Sequence, residues 1–597
     1  MSLEYEELNA LYARAHAIYR AGEPTVALEM LRGILEKDAH HIQSLNLAGV
    51  INGASGNLEE SVRLLSQAVQ DFPGRVELRS NLATSLIAAG HFGAAEQHLT
   101  HVVELMPDHV SGWRNLALVF VAQNKRKKAH DAYVRALRLD GRDAATLSRA
   151  VNNAGKISQW SEDEWFTELA LALISSGEAA KLCPFDLLRL PGITARDLRR
   201  CAHAWAEERY ASALALQPLV EKQRSTGAPL IRIGYMSADF FSHATMILLK
   251  GVLAAHDRTR FRIHCYSYGP QVYDAVRHEI EQLVDEFIEI NALSDEQAAQ
   301  RIADDQVDIL VDLKGYTGHE RVGISARRPA PVVVNWLGYP GTLGHERLAD
   351  YIIGDRWVTP MADADDFSEQ IALLPGSYQP NDRTRTTGPF QGRAQYGLPE
   401  QGFVFASFNE LYKLTPQMFD VWCNLLRATE GSVLWMLARS EEGRQNVLHE
   451  AALRHIGPER IVFAPIMNRD AHLARLRAGD LFLDSYPLTA HTTGSDALWA
   501  GVPFVTIRGR SFASRVASSL LAAADLPELV CESTQQYYKL VLTLVRVPAY
   551  MAHIKEKVVA ARASPLFDSD ALAAELESLY VKMLADTTNG VRRPIFA

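Results

Sequence analysis

Two threonines in the stretch LFLDSYPLTAHTTGSDALWAGVPFVT, residues 481–506, have the chemistry and spacing to hold a phosphate. Thr492 and Thr493 follow a segment typical of a buried strand and open a segment typical of a helix, flanked by His491 and Gly494. The first N–H groups of a helix lack partners and its dipole is positive there, so this turn favours an anion. The two hydroxyls suit an ordinary helix N-cap equally well, which leaves both interpretations open.

A second turn of the same kind follows at RGRSF, residues 508–512, between a strand pattern and a helix predicted to begin near Ala513. Two strand-to-helix turns side by side on one parallel sheet suit a diphosphate better than two unrelated caps do. We therefore predict a diphosphate site at this edge of a sheet.

Two basic side chains follow other predicted strands. Lys413 comes after the strand pattern at 403–408, at the predicted mouth of a cleft, where a fixed ammonium would neutralise charge on a departing diphosphate as Mg²⁺ does elsewhere. His243 follows the strand pattern at 231–236, which places it across the cleft. Alone, Lys413 also fits a solvated surface charge, and His243 a structural loop histidine.

Motifs for metal chemistry are incomplete. The His-Glu pairs at 319–320 and 345–346 lack the second histidine four residues later that a zinc protease needs. The run ADADD at 362–366 contains a D-x-D, but its position in a loop favours an exposed acidic turn over a metal site. We expect no metal ligands and no bound cofactor.

The elements that position these residues begin at Leu230, where short apolar strands alternate with helical patterns and predict two doubly wound parallel sheets. A polar linker at 376–398 separates them. Ligands bind outside the carboxyl ends of such strands, so the two halves are expected to share a cleft. The last apolar helix, 569–585, is expected to return across the two halves.

The N-terminal part repeats with a period of 34 over residues 8–143, with Gly22, Gly56, Gly90 and Asn124 at equivalent turns. This is the tetratricopeptide pattern, which predicts an α-solenoid that binds an extended peptide. The predicted organisation is a four-repeat solenoid at 1–143, a helical connector at 144–228 with a hinge at 222–229, a first Rossmann-like half at 229–394 and a second at 395–597.

Bulk properties exclude several classes of protein. The chain has 597 residues, a formal charge of −10 and a pI near 6.1, which argues against a surface devoted to nucleic acid. Five scattered cysteines, the lack of a signal pattern and the lack of a membrane-length apolar run predict a cytoplasmic protein without a membrane partner.

Several blocks, in order along the chain, resemble the O-GlcNAc transferase and SPINDLY family. They are RIGYMSADFFSHATM, LVDLKGYTGHERVGISARRPAPVVVNWLGYPGT, FNELYKLTP, AHLARLRAGDLFLD, AHTTGSDALWAG, RSFASRVASSLL and SPLF. The resemblance covers essentially the whole chain. It implies a GT-B enzyme of two Rossmann-like domains that transfers a sugar from a uridine diphosphate donor to Ser or Thr hydroxyls, with inversion and without a catalytic metal.

The resemblance also implies roles for individual residues. Lys413, Thr492 and Thr493 would hold the diphosphate, His491 and Asp496 would contact uridine and its ribose, and His472 and Arg475 would flank the uracil. Gly338, Tyr339 and Pro340 would line the sugar pocket. His243 matches a histidine discussed as the general base, or as a residue that only positions the donor.

Three departures from the family pattern are visible. Glu410 stands where glutamine is common, beside the phosphate lysine, and Arg469 stands where a lysine is frequent, which keeps the charge. The asparagine ladder of the solenoid is matched only at Asn81 and Asn115. We therefore expect a second carboxylate near the donor and a narrower capture of acceptor backbones.

Three functions remain open from the sequence. The first is an intracellular protein O-glycosyltransferase that uses UDP-GlcNAc as co-substrate. The second is the same architecture with another nucleotide sugar, such as a nonulosonic acid transferase acting on flagellin. The third is a peptide-binding scaffold with an inactive transferase half, against which the retained Lys413 and His491 argue.

Overall fold

The computed structural model describes residues 3–220 and 230–597. The predicted hinge at 222–229 therefore lies outside the described residues, apart from its boundary with the strand that follows. The chain forms two compact units, one extending to Asn153 and the other beginning at Ala154.

Helices packed in successive pairs build the first unit. They are α1 (Leu3–Arg20), α2 (Pro24–Lys37), α3 (Ile42–Ala54), α4 (Leu58–Asp71), α5 (Val76–Ala88), α6 (Phe92–Leu105), α7 (Val110–Ala122) and α8 (Arg126–Leu139). The turn within each pair has a left-handed residue, which glycine and asparagine tolerate best: Gly22, Gly56, Gly90 and Asn124, with φ of 90°, 82°, 76° and 59°. The predicted tetratricopeptide solenoid is confirmed.

Small residues sit where these helices touch. Gly49 is one, since a Cβ there would lie 2.5 Å from Leu65 Cγ. The two ladder asparagines are engaged locally: Asn81 Nδ2 donates to Asn46 Oδ1 at 2.8 Å, and Asn115 Nδ2 donates to Thr84 Oγ1 at 3.3 Å. Any acceptor backbone that binds these amides must compete with those contacts.

A helical segment links the repeats to the sheets. Its helices are α9 (Ala144–Lys156), α10 (Asp163–Ser176), α11 (Pro184–Leu187), α12 (Ala195–Arg209) and α13 (Ala211–Ala215). A buried bidentate ion pair, Arg189 to Asp163 at 2.9 and 2.6 Å, fixes the segment between α11 and α12 against α10. From Ala154 onward the described part of this helical segment belongs to the second unit.

The first sheet is parallel throughout and has the order β14-β7-β6-β5-β4-β1-β2-β3. Its strands are β1 (Ile231–Ser237), β2 (Phe261–Ser267), β3 (Glu286–Glu289), β4 (Ile309–Asp312), β5 (Val332–Asn335), β6 (Tyr351–Asp355), β7 (Gln370–Leu374) and β14 (Ile595–Phe596). The helices between them are α14 (Ala244–Ala255), α15 (Ala275–Leu283), α16 (Asp295–Asp304) and α17 (Val322–Ala326). Most central strands are apolar and buried on both faces, as parallel sheets require.

The second sheet is also parallel, with the order β10-β9-β8-β11-β12-β13. Its strands are β8 (Val404–Ser407), β9 (Val433–Leu437), β10 (Ile461–Ala464), β11 (Leu481–Leu483), β12 (Phe504–Ile507) and β13 (Val530–Cys531). Its helices are α18 (Pro416–Ala428), α19 (Glu441–Leu453), α20 (Arg469–Leu476), α21 (Thr492–Ala500), α22 (Val516–Ala523), α23 (Thr534–Arg546) and α24 (Pro548–Ala560). The predicted pair of doubly wound sheets is confirmed.

The C-terminal end of the chain returns to the first sheet. Helix α25 (Ser569–Thr588) packs on α14, and β14 pairs with β7 at the sheet edge. Buried polar contacts fix the helix: His256 Nδ1 lies 3.0 Å from Glu577 Oε1, and Tyr235 Oη lies 3.2 Å from Tyr580 Oη. The core of the first half is therefore completed by residues that follow the second half in sequence.

Candidate active site

A cavity of about 710 Å³ lies between the carboxyl edges of the two sheets. Residues that follow β1, β4 and β5 form one wall, and residues that follow β8 and β11 form the other. Six of the sequence-predicted site residues line it: His243, Gly338, Pro340, Lys413, His491 and Thr492. This is the place in two facing Rossmann-like sheets where a ligand is expected to bind.

Lys413 lies in the second wall and lines the cavity. It ends a short 3₁₀ turn, Leu411–Lys413, and is only 9% exposed. Its Nζ donates to the Thr489 carbonyl at 2.8 Å. Burial lowers the pKa of Lys413 to about 8, against the opposing effect of the Asp484 charge. An ammonium with three N–H donors and one protein acceptor is suited to an anionic ligand.

The loop that presents the predicted phosphate turn is fastened by Asp484, which the sequence analysis missed. Asp484 Oδ1 accepts from Ser485 N at 2.8 Å, from Ala490 N at 2.7 Å and from Asn409 Nδ2 at 3.0 Å. Its Oδ2 accepts from Thr506 Oγ1 at 2.6 Å. Burial nevertheless raises the pKa of Asp484 to about 6. The position of this aspartate directly after a buried strand, as in LFLD, is the sequence signal that could have identified it.

Helix α21 begins in the way that an anion site requires. His491 occupies the N-cap position, and no side chain among the described residues caps this helix. The N-cap interpretation of Thr492 and Thr493 is therefore not realised; Thr493 Oγ1 instead donates to Asn409 Oδ1. The buried Nε2 of His491 lacks a hydrogen-bond partner within the described chain. Burial and the nearby Lys413 hold the pKa of His491 well below its usual range, so the ring is neutral.

A second group of predicted residues, on α20 and α21, lies around Asp496. It is one turn beyond Thr492, on the same side of the helix. Its carboxylate pairs with Arg385 at 2.8 Å, a buried residue of the polar linker that the sequence analysis did not single out. The charge of Asp496 also acts on the half-buried Arg469 and on His472. The linker thus supplies a cation to the predicted ribose site.

His472 and Arg475 pack together at the end of β8. Arg475 Nε donates to His472 Nδ1 at 3.0 Å, and its guanidinium lies 4.7 Å from the Phe408 ring centroid. Burial lowers the pKa of His472 to about 4 and that of Arg475 to about 10. The neutral ring of His472 and the charged guanidinium of Arg475 thus lie side by side. Neither residue lines the cavity of about 710 Å³.

The first wall presents His243 at the start of α14, with its side chain 41% exposed. Its Nδ1 accepts from Thr245 N at 3.3 Å and lies 3.3 Å from Asp239 Oδ2. Asp239 Oδ2 is also held by Lys314 Nζ at 2.8 Å, and both of these side chains are buried. Burial lowers the pKa of His243; Asp239 opposes this effect and Lys314 adds to it.

The predicted sugar-pocket residues follow β5. A Cβ on Gly338 would lie 2.1 Å from the Leu313 carbonyl oxygen, so only glycine fits between the two loops. Gly338 and Pro340 line the cavity. Tyr339 is buried behind them, with its ring centroid 5.4 Å from that of Tyr316. Tyr339 supports this wall and does not face the cavity.

Two acidic groups near the cleft have cationic partners. Glu410 lines the cavity as expected, and its Oε1 accepts from Arg439 Nε at 2.7 Å. Asp363, in the D-x-D of the 3₁₀ turn Met361–Asp366, pairs with Arg515 at 2.7 Å. In the described part of the chain, no group of three or more His, Cys, Asp or Glu side chains is arranged to hold a metal ion.

The second strand-to-helix turn, 508–512, does not line the cavity of about 710 Å³ described above, here called the donor-side cavity. It lines a separate cavity of about 660 Å³, next to residues 190–195. The predicted contribution of both turns to a single diphosphate site is therefore wrong.

Among the helices of the described residues, none is long and apolar enough to cross a membrane.

Two facing parallel sheets with a polar cavity between their carboxyl edges are the architecture of a GT-B glycosyltransferase. The chain belongs to glycosyl transferase family 41, whose model matches residues 212–386 and 380–576. A tetratricopeptide repeat model matches residues 54–119.

Individual relatives agree with this placement. The chain is 34% identical over 369 residues to the probable UDP-N-acetylglucosamine--peptide N-acetylglucosaminyltransferase SEC of Arabidopsis thaliana, covering 60% of this chain and 38% of that protein. It is 27% identical over 490 residues to the Caenorhabditis elegans UDP-N-acetylglucosamine--peptide N-acetylglucosaminyltransferase, covering 63% and 42%. The chain thus spans about two fifths of the length of these relatives. A solved structure of a mutant Thermobaculum terrenum O-GlcNAc transferase is similar over 99% of both chains, with a TM-score of 0.63 and 26% identity.

Proposed function

We propose that this protein is an inverting protein O-glycosyltransferase that uses a uridine diphosphate sugar, UDP-GlcNAc in the first instance, without a catalytic metal. The observation that carries the proposal is the buried Lys413 ammonium, held by Thr489 O in the loop that leads into the uncapped start of α21. These two positive groups converge on one place, where the diphosphate of a nucleotide sugar would lie. A cytoplasmic location, inferred from the cysteine usage, is part of the proposal.

In this mechanism the second wall stabilises the leaving group. As the bond between the sugar and the diphosphate breaks, negative charge grows on the phosphate oxygens. Lys413 and the N–H groups that begin α21 face that charge from fixed positions, because Asp484 and Asn409 hold the loop before the reaction starts. His491 is neutral and its other ring nitrogen bonds the Ala513 backbone, so Nε2 can accept one hydrogen bond without adding a positive charge.

The nucleoside would lie against α20 and α21. Asp496 accepts from the ribose hydroxyls, and its 2.8 Å pairing with Arg385 orients the carboxylate. The polar end of the nucleoside site is thus formed by Asp496, Arg469 and His472. Arg475 stacks on Phe408 and donates a hydrogen bond to the ring of His472.

The first wall receives the sugar and the acceptor hydroxyl. His243 has two hydrogen-bond arrangements with opposite consequences. If Nδ1 accepts from Thr245 N, then Nε2 carries the proton and His243 is a donor that positions the substrate. If Nδ1 donates to Asp239, then Nε2 is free to accept the proton of the hydroxyl. Lys314 competes for the same Asp239 oxygen, and this competition favours the positioning role.

The direct test is binding of nucleotides and nucleotide sugars by calorimetry, followed by mass spectrometry of candidate acceptors in the presence of EDTA. UDP and UDP-GlcNAc are expected to bind and transfer to survive chelation. Preferential binding of a CMP-linked acidic sugar would instead support the nonulosonic acid transferase. Failure to bind any nucleotide would support the inactive scaffold.

We further propose that the solenoid selects the polypeptide acceptor. A protein that begins near Asp143 keeps α9 and the connector. Donor affinity should be nearly unchanged in it, while transfer to a full-length acceptor falls sharply because the effective concentration of the acceptor is lost. Undiminished glycosylation of the native acceptor would assign the repeats to assembly or localisation.

A further inference from the structure

The separate cavity of about 660 Å³, here called the arginine cavity, lies beside the donor-side cavity along the same cleft. Its lining follows β6 and β12, which are the sheet neighbours of β5 and β11. Tyr486 and Pro487 line it, while Leu488, the next residue in the chain, lines the donor-side cavity. One loop therefore forms the partition between the two cavities.

Four guanidinium groups line the arginine cavity: Arg356, Arg508, Arg510 and Arg515. Two have carboxylate partners, since Arg508 pairs with Glu532 at 2.7 Å and Arg515 pairs with Asp363 at 2.7 Å. Over residues 3–220 and 230–597, neither Arg356 nor Arg510 has a carboxylate within ion-pair distance. The cavity thus has a local excess of positive charge on a protein whose formal charge is −10.

Two of the four cations stack on one indole ring. The guanidinium carbons of Arg356 and Arg508 lie 5.5 and 5.6 Å from the ring centroid of Trp357. Stacking on an indole orients a planar guanidinium and leaves its N–H edge available for a bidentate acceptor. The geometry favours a carboxylate or a phosphate over a single neutral acceptor.

The rest of the lining is suited to a polypeptide. The walls contain Pro191, Ile193, Pro360, Tyr486 and Pro487, with the Ser511 hydroxyl among them. Rigid apolar and aromatic surfaces bind extended chain with little loss of side-chain entropy, and arginines add specificity for acidic residues. A free phosphate would use the arginines and leave this apolar surface unused.

We infer that the arginine cavity binds an acidic segment of the polypeptide acceptor, next to the Ser or Thr residue that enters the donor-side cavity. The inference rests on the proposed function and adds a determinant of acceptor choice within the catalytic region. Acceptors with Asp, Glu or phosphorylated residues near the modified hydroxyl are expected to be preferred, and the preference should weaken as ionic strength rises.

The test uses the full-length protein and fluorescein-labelled Ser-containing peptides. One set has a cluster of Glu residues before or after the Ser, and the matched set has Gln at the same positions. Direct binding is measured by anisotropy with UDP present. The Glu peptides are expected to bind more tightly than the Gln peptides, and Arg356→Gln and Arg510→Gln should each weaken Glu-peptide binding by about tenfold while leaving Gln-peptide binding unchanged.

The matched control is Arg262→Gln, which removes an exposed arginine near the amino end of β2, at the opposite edge of the first sheet. Arg510 is exposed, so Arg510→Gln is not expected to disturb folding, and UDP affinity of each variant checks this. Equal affinity for Glu and Gln peptides, or an equal loss in the control, would overturn the inference. Inorganic phosphate that displaces Glu and Gln peptides alike would also overturn it.

The outcomes separate this inference from the proposed function. UDP binding without a preference for Glu peptides removes the arginine cavity as an acceptor site and leaves the proposed function intact. Arginine-dependent binding of Glu peptides without UDP binding would keep the arginine cavity as a peptide site and contradict the proposed function.

Discussion

Each wall of the donor-side cavity contains a buried aspartate that hydrogen-bonds a loop, but the two carboxylates differ in how fully they are bonded. Each aspartate lies at the carboxyl end of a strand: Asp312 is the last residue of β4, and Asp484 directly follows β11. Burial raises the pKa of each to about 6. Asp312 Oδ1 accepts from Lys314 N and Gly315 N, but its buried Oδ2 lacks a partner in the described chain. Both oxygens of Asp484 are used.

This difference indicates what each wall does. In the second wall the carboxylate that fastens the loop is fully hydrogen-bonded, so the loop is fixed to face the same diphosphate in every turnover. The first wall contains the half-exposed His243. The ion pair between Lys314 and Asp239 competes with the contact between His243 and the same aspartate. We expect changes in the second wall to act on the donor, and changes in the first wall to act on pH dependence and acceptor use.

The largest effect is expected from Lys413→Ala. Loss of one preorganised charge opposite a developing anion should lower turnover by ~10²–10³-fold. Fold and peptide binding by the solenoid should be retained, because the side chain makes one hydrogen bond, to a loop carbonyl. Turnover is measured with UDP-GlcNAc at saturation, and a rate within a few-fold of wild type would remove Lys413 from the mechanism.

A matched pair of substitutions compares the two aspartates directly. Asp484→Asn removes a charge that raises the pKa of Lys413 and disturbs a fully bonded carboxylate, so UDP affinity should fall by about tenfold. Asp312→Asn keeps one acceptor oxygen for the two backbone N–H groups and should change UDP affinity by less than about threefold. The UDP affinity of both variants is measured by calorimetry, and an equal loss of affinity in the two would show that the walls are equivalent.

The pH dependence of donor binding tests the burial of Lys413. Its pKa in the free protein is about 8, lowered from 10.5, so the lysine is charged well below pH 8, half charged near pH 8 and neutral well above it. A bound diphosphate favours the charged form, so UDP binding above pH 8 should take up a proton, and affinity should fall by up to about tenfold per pH unit. Calorimetry in buffers of different ionisation enthalpy measures the uptake. Proton release, or none, would contradict the assignment.

The smallest effect is expected from Lys314→Met in the first wall. Removal of the lysine frees Asp239 for His243 Nδ1, and both changes raise the pKa of His243. Turnover should change by only a few-fold, but the acidic limb of the pH profile of kcat should move to higher pH. Lys250→Met is the control, since it breaks a comparable 2.7 Å pair with Glu279 on the surface. An unmoved limb would exclude Lys314 as a positioning residue.

Short-range patterns were sufficient for much of the fold. The left-handed turns at Gly22, Gly56 and Gly90 and the strand-to-helix transition at Thr492 follow from spacing and residue type alone. Four strands, β3, β7, β13 and β14, were not predicted; of these, β3 buries only Ile288, and β13 and β14 have two residues each. Such segments have no periodicity to detect.

Long-range pairing explains the rest of what the sequence did not reveal. Arg385 and Asp496 are 111 residues apart, and Asp239 and Lys314 are 75 apart. Each contact depends on how two strands and their loops are placed in the sheets, which residue spacing does not encode. The same holds for the turn at 508–512, which has the expected local structure but lines the arginine cavity instead of the donor-side one.

The return of α25 and β14 to the first sheet sets an order of folding during synthesis. Strands β1–β7 leave the ribosome long before residues 569–596 are made, so the first half lacks its covering helix and one edge strand while the second half is translated. At typical rates of about 5–20 residues per second, the interval from β7 to α25 is on the order of 10–40 s. The second half, whose core lies within residues 396–567 apart from Trp160, has the opportunity to fold first. Limited proteolysis of ribosome-bound chains of increasing length should therefore show protection of the second sheet before that of the first.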